Sequence, residues 1–265
     1  MGQPKWSFLT EQWKSVGVCE GDVLMLHSSI SRTLKGPNAK LANLTPSDVL
    51  KSFLDALGTD GTLIVPLFNF DFADGVPFDI RRTPSKMGAL TECARLWDGA
   101  VRTGNPIYSF AVIGRHAALF HGLNNKSGYG DDSPFAVLRD LDGVIGALDL
   151  EENESMTFHH FVEESCRVSY RYFKSFTGLY TDENGVTCER EYVLYVRDVE
   201  SGVETYANPA GELLWKAGLY VGDRPGVGSG LRLIRSRAMF QFMEKLIRDG
   251  HALGNLYRIL PKSEG

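Results

Sequence analysis

The residues best suited to acid–base chemistry lie together in SMTFHHFVEESC, where His160 is followed by Glu163 and Glu164. On a helix, spacings of three and four place both carboxylates on the side of the imidazole. A carboxylate beside an imidazole fixes its tautomer and supports its charged form, as a general base requires. By the same geometry the adjacent His159 points about 100° away and reads as a packing or solvent-facing residue. A His–Glu pair at this spacing also occurs as a purely structural contact, so spacing alone leaves both roles open. Zinc hydrolysis is poorly served, because HFVEE lacks the second histidine of HExxH or HxxEH.

Three polar segments follow apolar runs: HSSISR at 27–32, PLFNFDF at 66–72 and FDIRRTPSKMG at 78–88. Ligands of open α/β sheets sit beyond the carboxyl ends of the strands. Hydroxyls and amides of His27, Ser28 and Ser29 could hold a phosphate or a thioester arm. They could equally do no more than satisfy a turn. Thr83, Pro84 and Ser85 precede a helix expected from Gly88, which Ser85 is placed to cap. Neither serine reads as a hydrolase nucleophile, since no GxSxG elbow is present. The run RVSYRYFK, from Arg167 to Lys174, interleaves cations with aromatic rings. That suits a nucleotide's phosphates and base, or a strand with one wet face.

The elements that must position these groups follow from periodicity. A helix is expected over 10–16 with Thr10 as its cap, then a buried strand over 22–26 (DVLML). Thr45 caps a second helix that starts at Pro46 and runs to about Leu57. A strand follows over 62–67 (TLIVPL). This α-β-α-β order is that of an α/β layered fold with a largely parallel inner sheet. Further on, a helix is expected over 88–96, strands over 109–113 and 143–148, and one helix over 155–166 capped by Ser155. A hairpin pairs 192–196 with 203–206 around the turn at 198–202. A final amphipathic helix covers 233–249.

The 265 residues, 43 % hydrophobic and 23 % charged, describe an ordinary globular chain read as a single domain over 1–265. A net charge of −5 argues against a general nucleic-acid binder. No apolar run reaches the roughly 20 residues of a membrane span. The absence of a signal-peptide core points to a cytoplasmic protein. Cys19, Cys93, Cys166 and Cys188 form no CxxC pair and are expected as free, buried thiols.

Six segments in order, HSSISR, PLFNFDF, FDIRRTPSKMGALTE, NPIYSFAVIG, GDDSPF and MTFHHFVEE, resemble the aminoglycoside 3-N-acetyltransferase family. The resemblance covers roughly the first two-thirds of the chain. It implies a three-layer α/β/α sandwich with a mixed sheet, and acetyl-coenzyme A or another acyl-coenzyme A as donor, with no metal. It implies His160 as the catalytic base with Glu163 beside it. It places His27, Ser28, Ser29, Thr83, Pro84, Ser85 and Ser109 along the coenzyme. Where the family often has His-Pro, this chain has Asn105-Pro106, so acceptor choice is expected to differ there.

Two amino-sugar acceptors fit. An aminoglycoside needs carboxylates, available from Asp71, Asp74, Asp79, Asp131 and Asp132, with Asn69 alongside. A nucleotide-linked amino sugar needs cations, available from Arg167, Arg171 and Lys174. The cationic run tips this reading toward the nucleotide sugar, although coenzyme A's own phosphates could claim the same side chains. A homo-oligomer is compatible with the sequence. Outside this chemistry stand a non-catalytic coenzyme-binding protein on the same fold and a metallohydrolase.

Overall fold

The computed structural model describes residues 2–261. In chain order its first elements are α1 (Ser7–Val16), β1 (Val23–Ser28), α2 (Ser31–Lys35), α3 (Pro37–Leu41), α4 (Pro46–Leu57) and β2 (Thr62–Pro66). They are followed by β3 (Phe78–Asp79), α5 (Ala89–Arg95), β4 (Val101–Arg102), β5 (Phe110–Gly114), α6 (Pro134–Asp140) and β6 (Val144–Leu148). The second half holds α7 (Glu152–Ser155), α8 (Phe158–Ser165), β7 (Arg171–Thr181), β8 (Thr187–Arg197) and β9 (Val203–Thr205). It closes with α9 (Asn208–Lys216), β10 (Val221–Gly222), β11 (Leu231–Arg235), α10 (Ser236–Arg248) and β12 (Tyr257–Ile259).

The central sheet is mixed, in the order β10-β11-β6-β1-β2-β5-β4. Its middle strands β6, β1 and β2 are parallel, and antiparallel strands complete it on both flanks. Because both faces are covered, β1 and β2 are buried along nearly their whole length and read as continuous apolar runs. One face packs on α1, α4 and α5, where Trp13 stacks on Phe53 with centroids 4.6 Å apart. Burying each such side chain contributes about 1.5–3 kcal/mol. The other face packs on α6, α8, α9 and α10. These layers form the expected α/β/α sandwich. Among the described residues no helix is long and apolar enough to cross a membrane.

Thr45 and Asp48 form the expected capping box at α4. Other boundaries differ for identifiable reasons. Thr10 caps nothing: it lies inside α1, buried, and its hydroxyl donates to the Ser52 carbonyl at 3.3 Å. The helix expected over 155–166 is two helices, because Met156 leaves helical geometry. Ser155 therefore ends α7, with its hydroxyl on the Glu151 carbonyl. Leu233 and Ile234 belong to strand β11, and the last helix begins only at the fully buried Ser236.

The expected hairpin is re-paired. The turn at 198–202 forms, with the Val203 amide on the Asp198 carbonyl, but β8 pairs along eleven residues with β7. β9 pairs instead with β12. The strand reading of the run from Arg167 to Lys174 is the one that forms, as β7, although Tyr172, Phe173, Lys174 and Ser175 are all exposed and show no alternation. Thus the RVSYRYFK run becomes the start of a long strand, with Arg167 over the Phe173 ring and Lys174 over Phe176. The four cysteines are free, but Cys19 and Cys188 are exposed rather than buried.

Candidate active site

His160 and Glu163 meet on α8 as the spacing requires, with His160 Nδ1 2.7 Å from Glu163 Oε2. The Glu163 side chain is 1 % exposed, whereas the His160 ring retains 20 %, enough to be reached from outside. Glu163 has two further partners. Tyr170 donates its hydroxyl to Oε1 at 3.0 Å, and Arg171 places Nε 2.7 Å from Oε2. Burial opposes ionisation of Glu163, but Arg171 and His160 outweigh it and hold its carboxyl below the usual range. For His160, burial and then the Arg171 charge outweigh Glu163 and lower its pKa to about 4. The imidazole is therefore neutral at pH 7, the form a base needs.

A chain of rings links His160 to the HSS segment. Tyr129 lies against His160 with centroids 5.4 Å apart, Tyr108 against Tyr129 at 4.8 Å, Phe68 against Tyr108 at 4.5 Å, and His27 against Phe68 at 6.3 Å. The polar segments picked out along the sequence thus converge. HSS ends β1, Phe68 follows β2, Tyr108 leads into β5, and Tyr129 precedes α6. The three connecting aromatic residues went unremarked in the sequence, although each adjoins a segment that was noted.

At the carboxyl end of β1, the His27 Nε2 and Ser28 Oγ are buried without hydrogen-bond partners. The Ser29 amide is taken by the Leu148 carbonyl, and the Ser85 amide by Glu92. Both amides are therefore satisfied within the protein. Ser85 also does not cap α5. Its hydroxyl accepts from the Met87 amide and shares a 2.7 Å hydrogen bond with Thr91. A shallow groove of about 390 Å³ opens between the ends of β1 and β6, lined by Ser29, Arg32, Lys35 and Asp149. It lies where the chain's connections diverge to opposite sides of the sheet, the usual ligand crevice of such folds. Arg32 and Lys35 were not singled out by sequence, although Arg32 closes the HSSISR segment.

Asn69, Asp71, Thr83 and Pro84 share a second pocket of about 160 Å³. Asn69 joins its two walls, donating to the Pro84 carbonyl and accepting from the Asp71 amide. Asp71 is ion-paired with Lys86. Ser109 is fully buried behind this loop, facing the guanidinium of Arg102, which also donates to the Thr83 carbonyl at 2.6 Å. Ser109 therefore supports the TPS loop from behind. Asp131 and Asp132 lie exposed beside Glu164; burial, with these charges, raises the Glu164 pKa.

Two expected acceptor contacts have other roles. Asn105 is fully buried; its amide donates to the Asn125 carbonyl and accepts from the Ile107 and Tyr108 amides. It sets Tyr108 in the ring chain rather than touching an acceptor. Arg171 is spent inside the protein on Glu163, His160 and the Tyr195 carbonyl.

A second ionic cluster lies behind the first. His159 does not face solvent: it is 2 % exposed and its Nε2 lies 2.8 Å from Glu152. Tyr220 and Arg232 also bond Glu152, at 2.7 and 3.2 Å. A cavity of about 50 Å³ is lined by both His–Glu pairs. Among the described residues, no group of three His, Cys, Asp or Glu side chains is arranged to hold a metal.

The pKa of His27 is likewise lowered to about 4, by burial and then by Arg232. The unfolded chain therefore takes up protons on both rings before the folded one does. Stability is fully present above about pH 6.5 and is lost as the pH falls toward 4. Denaturant titrations are expected to show about 2 kcal/mol less stability at pH 5 than at pH 7 from His27, and less from the partly exposed His160. His27→Asn should flatten that slope; an unchanged slope contradicts the assignment.

Fold and site together define an α/β/α sandwich with a mixed sheet, carrying a neutral, carboxylate-paired histidine linked through a chain of ring contacts to the end of β1. The family model for aminoglycoside 3-N-acetyltransferase matches residues 25–248, and the chain belongs to that family. It is 30 % identical over 176 residues to aminoglycoside N(3)-acetyltransferase III of Pseudomonas aeruginosa, covering 57 % of this chain and 61 % of that one. It is 25 % identical over 174 residues to the prophage-derived aminoglycoside N(3')-acetyltransferase-like protein YokD of Bacillus subtilis, covering 57 % and 62 %. The matches thus span about three-fifths of those relatives. The solved structure of aminoglycoside acetyltransferase AAC(3)-Xa superposes with a TM-score of 0.77 at 23 % identity, over 94 % of this chain and 93 % of that one. AAC-IIIb in its binary complex with CoASH gives 0.75 at 21 %, over 92 % and 96 %. These likenesses show the fold.

Proposed function

We propose that the chain, as one catalytic domain, moves an acetyl or short acyl group from coenzyme A to an amine of an aminoglycoside by direct transfer. The observation that carries this reading is the His160–Glu163 pair at the end of the ring chain from the HSS turn. Family membership and relatives named as aminoglycoside acetyltransferases support the acceptor class. The nucleotide-sugar alternative loses its main cation, because Arg171 is buried among protein partners. Asp131, Asp132 and Glu164 supply acidity on the same side of α8.

In this mechanism Glu163 accepts the Nδ1 proton of His160 and leaves Nε2 as the base. Nε2 takes a proton from the acceptor nitrogen as that nitrogen bonds the thioester carbonyl carbon. The carbon–sulfur bond then breaks, and the proton passes to the departing thiolate. A thioester is already activated, so no acyl-enzyme is needed. A base so placed contributes about 10²–10⁴-fold. Lys35 in the strand-end groove suits the phosphates of the coenzyme, whereas Arg32 beside it is already paired with Asp149 and the Gly228 carbonyl.

The test is thiol release from acetyl-coenzyme A against a panel of aminoglycosides and amino-sugar nucleotides. Release with aminoglycosides is expected. Coenzyme A at about 100 times its Kd should stabilise the fold by about 2.7 kcal/mol. Release with neither group, and no thermal shift, would defeat the proposal.

A further inference from the structure

We propose that Arg171 is a positioning residue of this site: its guanidinium pins the Glu163 carboxylate against Nδ1 of His160 and sets a positive charge beside the ring. The inference rests on the acyl-transfer reading for its purpose, but not for its geometry.

Arg171 is the first residue of β7 and its side chain is 6 % exposed. Nη1 donates to the Tyr195 carbonyl at 3.1 Å, which ties the guanidinium to the neighbouring strand β8. Nε lies 2.7 Å from Glu163 Oε2, the oxygen that also meets His160. Nη2 lies 2.9 Å from His160 Nδ1 itself. Tyr170 holds the other carboxylate oxygen and stacks on Tyr257 with centroids 3.7 Å apart. Glu163 is therefore hydrogen-bonded at Oε1 by Tyr170 and held at Oε2 by the charge of Arg171, whose Nε lacks hydrogen-bond alignment to it.

The same nitrogen of His160 faces one group that only accepts and one that only donates. A carboxylate takes a proton and a guanidinium gives one, so Nδ1 satisfies a single partner at a time. With Nδ1 protonated, Glu163 is satisfied and Nε2 is free to act. Arg171 then stands against an N–H, and a second proton on the ring makes that encounter worse. Other ionisable groups facing the ring are His159 and Glu163 on α8, Tyr170 beside β7, Tyr129 before α6, and Glu152 and Glu154 of α7 across the small cavity. Of these the permanent cation is Arg171. The outcome is a base that is oriented by a carboxylate yet releases its proton readily, because the carboxylate's charge is already shared with an arginine.

Histidine-selective ¹⁵N NMR on the free protein reads this without turnover, and pH profiles of kcat/KM read it with turnover. In the unsubstituted protein His160 is expected as a single neutral tautomer protonated on Nδ1. Arg171→Gln should raise its titration midpoint by about one pH unit or more and move the acid limb of kcat/KM with it. Arg171→Lys keeps the charge and loses the fork. Its midpoint should hold while the tautomer becomes mixed and kcat falls. An unmoved midpoint and acid limb in a folded Arg171→Gln protein would overturn the proposal, as would an Nε2-protonated ring in the unsubstituted protein. If Arg171→Gln does not fold, Arg171→Lys decides, and an unmixed tautomer with full kcat refutes the role. Absence of thiol release from the unsubstituted protein would count against acyl transfer, while the NMR result still judges Arg171.

Discussion

Replacement of His160 by Ala is expected to lower kcat for acyl transfer at least about a hundredfold, with coenzyme A still raising the melting temperature. The structure gives this variant a clean interpretation. When the ring is removed, Glu163 keeps Tyr170 at 3.0 Å and Arg171 at 2.7 Å, so no buried charge is left alone. The strand-end groove between β1 and β6 is built by other residues and should bind as before. Thiol-release kinetics beside a thermal-shift titration separate the two effects. Near-normal turnover would remove His160 from the base role, and a lost thermal shift would mean that its removal disturbs more than the reacting centre.

The largest effect on stability is expected in the second ionic cluster, at Glu152 of α7, eight positions before His160. Glu152→Ala should destabilise the fold by about 3–5 kcal/mol. Among the described residues Glu152 is the only carboxylate ion-paired with Arg232, which is 2 % exposed, and it also receives Tyr220 and engages His159. Its removal strands a guanidinium away from water, a cost far above that of an exposed ion pair. Adding Arg232→Met should recover part of the loss, because the charge that lacked a partner is then gone. Chemical denaturation of both variants measures this. If Glu152→Ala melts like the unsubstituted protein, the cluster contributes no such anchoring.

Much of this site could be read from the chain because its parts lie at strand and helix ends with short-range signals. The three-residue spacing of His160 and Glu163 survives as a 2.7 Å contact, and the HSS turn does follow a buried strand. What could not be read depends on which element lies next to which. Helical geometry leaves His159 either a packing or a solvent-facing residue, because it says where a side chain points, not what covers it. His159 is buried on Glu152, which Tyr220 and Arg232 also bond. Asn105 looked like a specificity position because it departs from the His-Pro of the family the sequence resembles. Only the packing shows its amide closing a buried turn under Tyr108. Arg171 heads the exposed stretch from Tyr172 to Ser175 but is itself drawn inward, by a carboxylate eight positions earlier.

That contrast between near and distant partners has a bearing on how the protein is made. His160, Glu163 and Arg171 lie between positions 160 and 171, so their mutual contacts close a very short loop. The bed beneath them is long-range: Glu152 waits for Tyr220 and Arg232, which arrive with β11 as it adds antiparallel to β6. Contacts of high sequence separation form late and slowly. On a ribosome the reactive triad can therefore be synthesised and locally paired well before the helix that carries it has a floor. Catalytic competence should emerge only when the strand near residue 231 has docked, in one step with the closing of the sheet.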